Sequence, residues 1–141
     1  MKKVYCATKG IIVKDGKILA LKQRHDGKEY LDLPGGRVDF GFSPEENMIK
    51  EAKEEVDLDI KIESLVGIYH FFRFVDEDQV VCIVYLCKPL TEKIDLSKNP
   101  VEEENITEYK WVTPEEFVKL ESDYFKGLEN MKKVVKDHFK N

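Results

Sequence analysis

The chain has 141 residues, 42% of them hydrophobic, 11% aromatic and 36% charged, which predicts one folded domain over residues 1–141 with a sizeable core, not a disordered chain. Its net charge of −5 argues against a nucleic-acid-binding protein but not against a small anionic substrate, because a bound metal can supply positive charge locally. No apolar run approaches the roughly 20 residues that span a bilayer, and Met1-Lys2-Lys3 is not followed by a signal-peptide core, so the expected setting is cytoplasmic, with no membrane partner.

In chain order, Val4 to Val13 reads as a strand, Lys14-Asp15-Gly16-Lys17 as a hairpin turn and Ile18 to Leu21 as the returning strand. A loop rich in charge and glycine leads to Tyr30-Leu31-Asp32-Leu33, a short strand feeding Pro34-Gly35-Gly36, which reads as a turn. A helix then starts where side-chain chemistry dictates. Ser43 is a good N-cap, Pro44 suits the first helical position, and Glu46 completes a capping box. Met48, Ile49, Ala52 and Val56 form an apolar stripe that predicts one docked face.

Glu51, Glu54 and Glu55 fall at i, i+3 and i+4 of that helix, on one face within a single turn. Like charges at this spacing repel by a few tenths of a kcal/mol per pair, roughly, on an exposed helix. A hard divalent cation such as Mg²⁺ removes that cost, since it prefers oxygen ligands. The double glycine upstream lets backbone approach a ligand and frees its carbonyl to coordinate. The bland reading, three solvated glutamates in a highly charged chain, would win for the acids alone. Together with the glycines and the opposite apolar stripe they read as a site.

The stretch from Gly36 to Leu58 resembles the Nudix box, G-x5-E-x7-R-E-U-x-E-E-x-G-U, of the Nudix hydrolase family, which includes MutT-like proteins. Gly36 matches the first glycine, Glu51, Glu54 and Glu55 the acids, and Leu58 the last apolar position. Phe42 stands where the first glutamate belongs, Lys50 replaces the arginine, Asp57 replaces the second glycine, and Ala52 is a small version of the apolar position. Lysine keeps the charge but loses arginine's planar fork. Aspartate tolerates the left-handed conformation a helix end needs. Phe42 deletes an acid beside the expected metal site, and Asp39 is the neighbour placed to compensate.

The resemblance implies an α+β fold, an α/β/α sandwich with a central mixed β-sheet, and a pyrophosphohydrolase dependent on Mg²⁺ or Mn²⁺. The implied substrate is a nucleoside diphosphate linked to another group, triphosphates included. It implies Gly35, Glu51, Glu54 and Glu55 as metal ligands and Glu51, Glu54 and Glu104 as catalytic groups, with Arg24 and Arg37 positioning substrate phosphates. Glu104, chosen narrowly over Glu103, precedes the strand Tyr109-Lys110-Trp111-Val112, in the place where many Nudix hydrolases carry a loop acid. The alternatives are a Nudix-fold nucleotide-binding or regulatory module without hydrolysis, supported by Phe42 and Lys50, and an isomerase of the same fold, which no activated cysteine supports.

Beyond the box, Ile60 to Phe74 suggests one or two strands and Val80 to Leu86 a central strand, joined by a turn at Asp76-Glu77-Asp78. Tyr69, Phe71, Phe72 and Phe74 are expected in the core. Lys88 to Thr107 reads as a polar connection. Thr113-Pro114-Glu115-Glu116 opens a second capped helix. Tyr124, Leu128, Met131, Val135 and Phe139 step along one face of a last helix, docked on the sheet. A homodimer interface is the alternative use of that face. Cys6, Cys82 and Cys87 have no C-x-x-C spacing and apolar neighbours, which predicts buried, reduced thiols.

Overall fold

A computed structural model describes residues 1–25, 28–73, 76–99, 106–120 and 128–140. The strands are β1 (Val4–Lys14), β2 (Lys17–His25), β3 (Lys28–Asp32), β4 (Gly35–Arg37), β5 (Ile60–Phe72), β6 (Gln79–Pro89) and β7 (Ile106–Val112). The helices are α1 (Pro44–Val56), α2 (Pro114–Lys119) and α3 (Leu128–His138), with one 3-10 turn at Leu96–Lys98. The sheet runs β3-β2-β1-β6-β5, with β4 paired to β1 and β7 to β2. It is mixed: β1 runs parallel to β6 and antiparallel to β2 and β4.

Strand β1 organises the sheet because successive residues point to opposite faces. Ala7 and Ile11 join a core with Phe117 of α2 and with Met131 and Val135 of α3. Ile12 joins a second core with Met48, Ala52 and Val56 of α1. Helices therefore cover both faces, giving the expected α/β/α sandwich. No helix among the described residues is long and apolar enough to cross a membrane.

Several expectations need correction. Gly35 and Gly36 are not simply a turn, because Thr8 pairs with Gly36 and Lys9 with Gly35, making β4 a three-residue strand. The long connection after β6 contains the 3-10 turn; of the one or two strands expected from Ile60 on, β5 is one, with register shifts near Ile62 and Leu65. Ile49 is exposed at 42% and Phe72 at 60%. Neither Ile49 nor Phe72 joins either buried core. Cys6 is exposed, while Cys82 and Cys87 are buried. Burial pushes the Cys82 thiol up to about 11 and the Cys87 thiol up to about 12, so both stay protonated and inert at neutral pH. Phe74 and Tyr124 lie outside the described residues.

Candidate functional site

The start of α1 is fixed as its side chains dictate. Ser43 Oγ accepts from the Glu46 N–H at 3.1 Å, and the Glu46 carboxylate accepts from the Ser43 N–H at 3.3 Å. With the apolar stripe turned into the sheet, Asn47, Glu51 and Glu55 are carried against β4, where all three are buried. The Gly35 N–H donates to Glu55 Oε1 at 2.7 Å. Asn47 Nδ2 donates to Thr8 Oγ1 at 3.0 Å and to the Gly36 carbonyl at 3.2 Å, and its Oδ1 accepts from the Asp39 N–H at 3.2 Å.

Both glycines are required by close approach. At Gly35, with φ +149°, a Cβ would run into the Thr8 carbonyl. At Gly36 a Cβ would lie 2.7 Å from Glu51 Oε2, so the missing side chain is the room the carboxylate occupies.

Lys50 stands in the middle of the acids. Its Nζ lies 2.6 Å from Asp39 Oδ2, 3.2 Å from Glu51 Oε1 and 3.7 Å from Glu54 Oε1, and 5.4 Å from the centre of the Phe42 ring. Desolvation pulls the ammonium's pKa down, but the hydrogen bond to Asp39 and the charges of Glu51 and Glu54 outweigh it, leaving the pKa above the ordinary lysine value. Among the described residues no group of three or more His, Cys, Asp or Glu side chains is arranged to hold a metal ion as it stands. The donor chemistry nevertheless fits a hard cation. The donors are all oxygen, the missing side chain at Gly36 lets the Glu51 carboxylate lie against the backbone, and a cation, Lys50, is already accepted there. Lys50 is shared by three carboxylates.

The remaining candidates are dispersed. Arg37 directly follows Gly36, and its guanidinium lies 4.5 Å over the Tyr5 ring. Arg24 lies three residues beyond Leu21, the partner of Asp32, and is bound to Glu29 at 2.6 Å within the β2–β3 hairpin. That ion pair is local to the hairpin. Glu103 and Glu104 lie outside the described residues.

A second ion pair, unforeseen from the sequence, backs the glycines. Lys9 Nζ donates to Asp32 Oδ2 at 2.8 Å and to the Leu33 carbonyl at 3.3 Å, while Asp32 also accepts from the Leu33 N–H and from Gln23 Nε2. Burial lowers the Lys9 pKa, but Asp32 and weaker contributions from Cys82 and Glu55 raise it further, so the ammonium stays charged. Asn47 was equally unforeseen, although an asparagine in the first turn of a helix is a mild signal that its side chain is needed there.

A family model for the NUDIX domain matches residues 5–136. The chain belongs to that family. It is similar to an ADP-ribose pyrophosphatase of Methanocaldococcus jannaschii, 40% identical over 81 residues that make up 57% of this chain and 48% of that protein. It is also similar to a MutT-like protein of Streptomyces ambofaciens, 28% identical over 108 residues, 76% of this chain and 62% of that one. The chain thus spans about half the length of the curated relatives it matches. Among solved structures, the MutT protein from Methanosarcina mazei Go1 superposes with a TM-score of 0.81 at 22% identity, over 99% of this chain and 98% of that one. That likeness concerns the fold.

Proposed function

We propose that residues 1–141 act as one metal-dependent pyrophosphohydrolase unit that cleaves the diphosphate of a nucleoside diphosphate linked to another group. The observation that carries this reading is the meeting of Asp39, Glu51 and Glu54 on one cationic point beside the Gly35-Gly36 cradle, with Glu55 anchored to that cradle. Similarity to a protein named ADP-ribose pyrophosphatase supports a nucleotide derivative as substrate.

In this reading Glu51, Glu54 and Glu55, with the Gly35 carbonyl, hold Mg²⁺ or Mn²⁺. When bound, the cation neutralises charge on the diphosphate oxygens and acidifies water. Glu51 or Glu104 accepts the proton of the attacking water. A new P–O bond forms and the bridging P–O bond breaks, releasing a nucleoside monophosphate or its equivalent. Arg37, next to the cradle, holds a phosphate oxygen, and Arg24 does so on leaving Glu29. The Gly35 N–H keeps the Glu55 carboxylate oriented.

The test is product release from a panel of nucleoside triphosphates, nucleotide sugars, ADP-ribose and dinucleoside polyphosphates with Mg²⁺ or Mn²⁺, run beside Glu54→Gln,Glu55→Gln. Turnover that requires metal and vanishes in the variant is expected. Binding of a nucleotide with no cleavage of any substrate would replace the hydrolase reading with that of a binding module.

A further inference from the structure

We propose that Asp39 is a positioning residue for the acidic face of α1, acting through Lys50 to keep Glu51 and Glu54 available to a divalent cation. The proposal rests on the metal-dependent reading above and concerns how this chain does without the acid that Phe42 replaces. A lysine between acids is a competitor for any incoming cation, because its ammonium already occupies their lone pairs. Here the ammonium is drawn off centre. Its short contact, 2.6 Å, is to Asp39, while Glu51 and Glu54 stand at 3.2 and 3.7 Å.

Asp39 lies on the loop between β4 and α1, outside the helix. The loop is tied to the helix, since the Asp39 N–H donates to Asn47 Oδ1 at 3.2 Å, and Asn47 is itself held to Thr8 and the Gly36 carbonyl. The carboxylate is therefore aimed at Lys50 by a buried asparagine. The Phe42 ring, 5.4 Å from Nζ, adds a cation–π face at the ammonium. Asp39 and Phe42 together anchor the lysine from the loop. Without Asp39 the carboxylates left to the same ammonium, among the described residues, are Glu51 and Glu54, and it then competes with the metal for both.

The experiment is a Mn²⁺ titration of the full chain, read by water-proton relaxation and in parallel by the thermal unfolding midpoint, without substrate. The proteins are the wild type, Asp39→Asn, Lys50→Gln, Asp39→Asn,Lys50→Gln and Asp39→Asn,Phe42→Glu. Partners that orient metal-binding side chains are worth tenfold or more in affinity, so Asp39→Asn is expected to weaken Mn²⁺ binding by about tenfold. In the Lys50→Gln background the same change should do nothing, because the competitor is gone. Phe42→Glu should restore affinity to Asp39→Asn by offering the ammonium a new anionic partner. An equal loss with and without Lys50 would make Asp39 a direct ligand and overturn the proposal. So would a wild-type affinity in Asp39→Asn. Absence of Mn²⁺ binding by the wild type itself would overturn the metal-dependent reading as well, which separates the two failures.

Discussion

Two lysine–carboxylate arrangements lie on either side of the glycine pair, and they differ in stoichiometry. Behind it, Lys9 and Asp32 form a one-to-one pair, each side chain 10% exposed, with both Asp32 oxygens further hydrogen-bonded. In front, Lys50 faces Asp39, Glu51 and Glu54, and its side chain is 23% exposed. Charge balance and satisfied lone pairs mark the first as architecture, whose task is to fix the strand that delivers Gly35. The second sets one ammonium against three carboxylates and is more open to solvent, which suits the proposed arrival of another cation. Burial of a salt bridge thus says little until its charges are counted.

Breaking the balanced side should produce the largest effect. Lys9→Met leaves Asp32 charged and uncompensated inside the protein, which costs about 3–5 kcal/mol in comparable buried pairs. The urea midpoint should fall accordingly, and adding Asp32→Leu should recover part of the loss. If the single variant is as stable as the wild type, Lys9 is not part of the architecture.

That pair also shows where the sequence stopped being legible. The features read correctly were local. The Asp15-Gly16 turn, the capping boxes at Ser43 and Thr113, and the buried row Met48, Ala52 and Val56 all depend on residues within a turn of one another. Asp32 is 23 residues from Lys9, and Thr8 is 39 residues from Asn47. Nothing in a single sequence brings such pairs together. The strand character of Gly35-Gly36 was hidden for the same reason, since it depends on β1 and not on glycine's own preference. Ile49 and Phe72 failed differently: periodicity says which residues share a face but not how far the covering helix extends. At the candidate site, helix spacing put Glu51, Glu54 and Glu55 on one stretch of α1, whereas the crowding at Gly36 and the pull of Asp39 on Lys50 are properties of the assembled fold.

On the unbalanced side, Gly36→Ala should disturb the site while sparing the fold. Gly36 does not need a left-handed backbone, and the atom its Cβ would meet is the end of a flexible side chain, Glu51 Oε2 at 2.7 Å. Overpacking of this kind costs about 1–3 kcal/mol, relieved here by displacing the carboxylate. Mn²⁺ affinity should fall roughly tenfold to a hundredfold with little change in the metal-free melting midpoint. Unchanged affinity would mean that the carboxylate beside Gly36 is not a metal ligand, and the contrast between the two sides would collapse.

A third arrangement, at the far end of α1, sharpens the contrast because there one acid faces two cations. Asp57 caps the helix with φ +59°, and its carboxylate lies 3.2 Å from both Lys53 and Lys98. The Lys53 hydrogen bond, with help from Lys98, holds its pKa below the usual aspartate value. A depressed folded-state pKa contributes stability that is present above the unfolded value of 3.8 and is lost as pH falls through the folded value. Asp57→Gly removes that contribution but relieves the left-handed backbone, the conformation for which glycine is favoured at a helix end. Near neutral pH the two effects oppose each other and the net change should be small. Below the folded pKa only the backbone gain survives, so the variant's stability relative to the wild type should improve from pH 7 to pH 3, measured as the difference in urea midpoints. A difference that stays constant, or that moves toward the wild type on acidification, would show that the Asp57 charge contributes nothing and that its ion pairs with Lys53 and Lys98 are incidental to the cap.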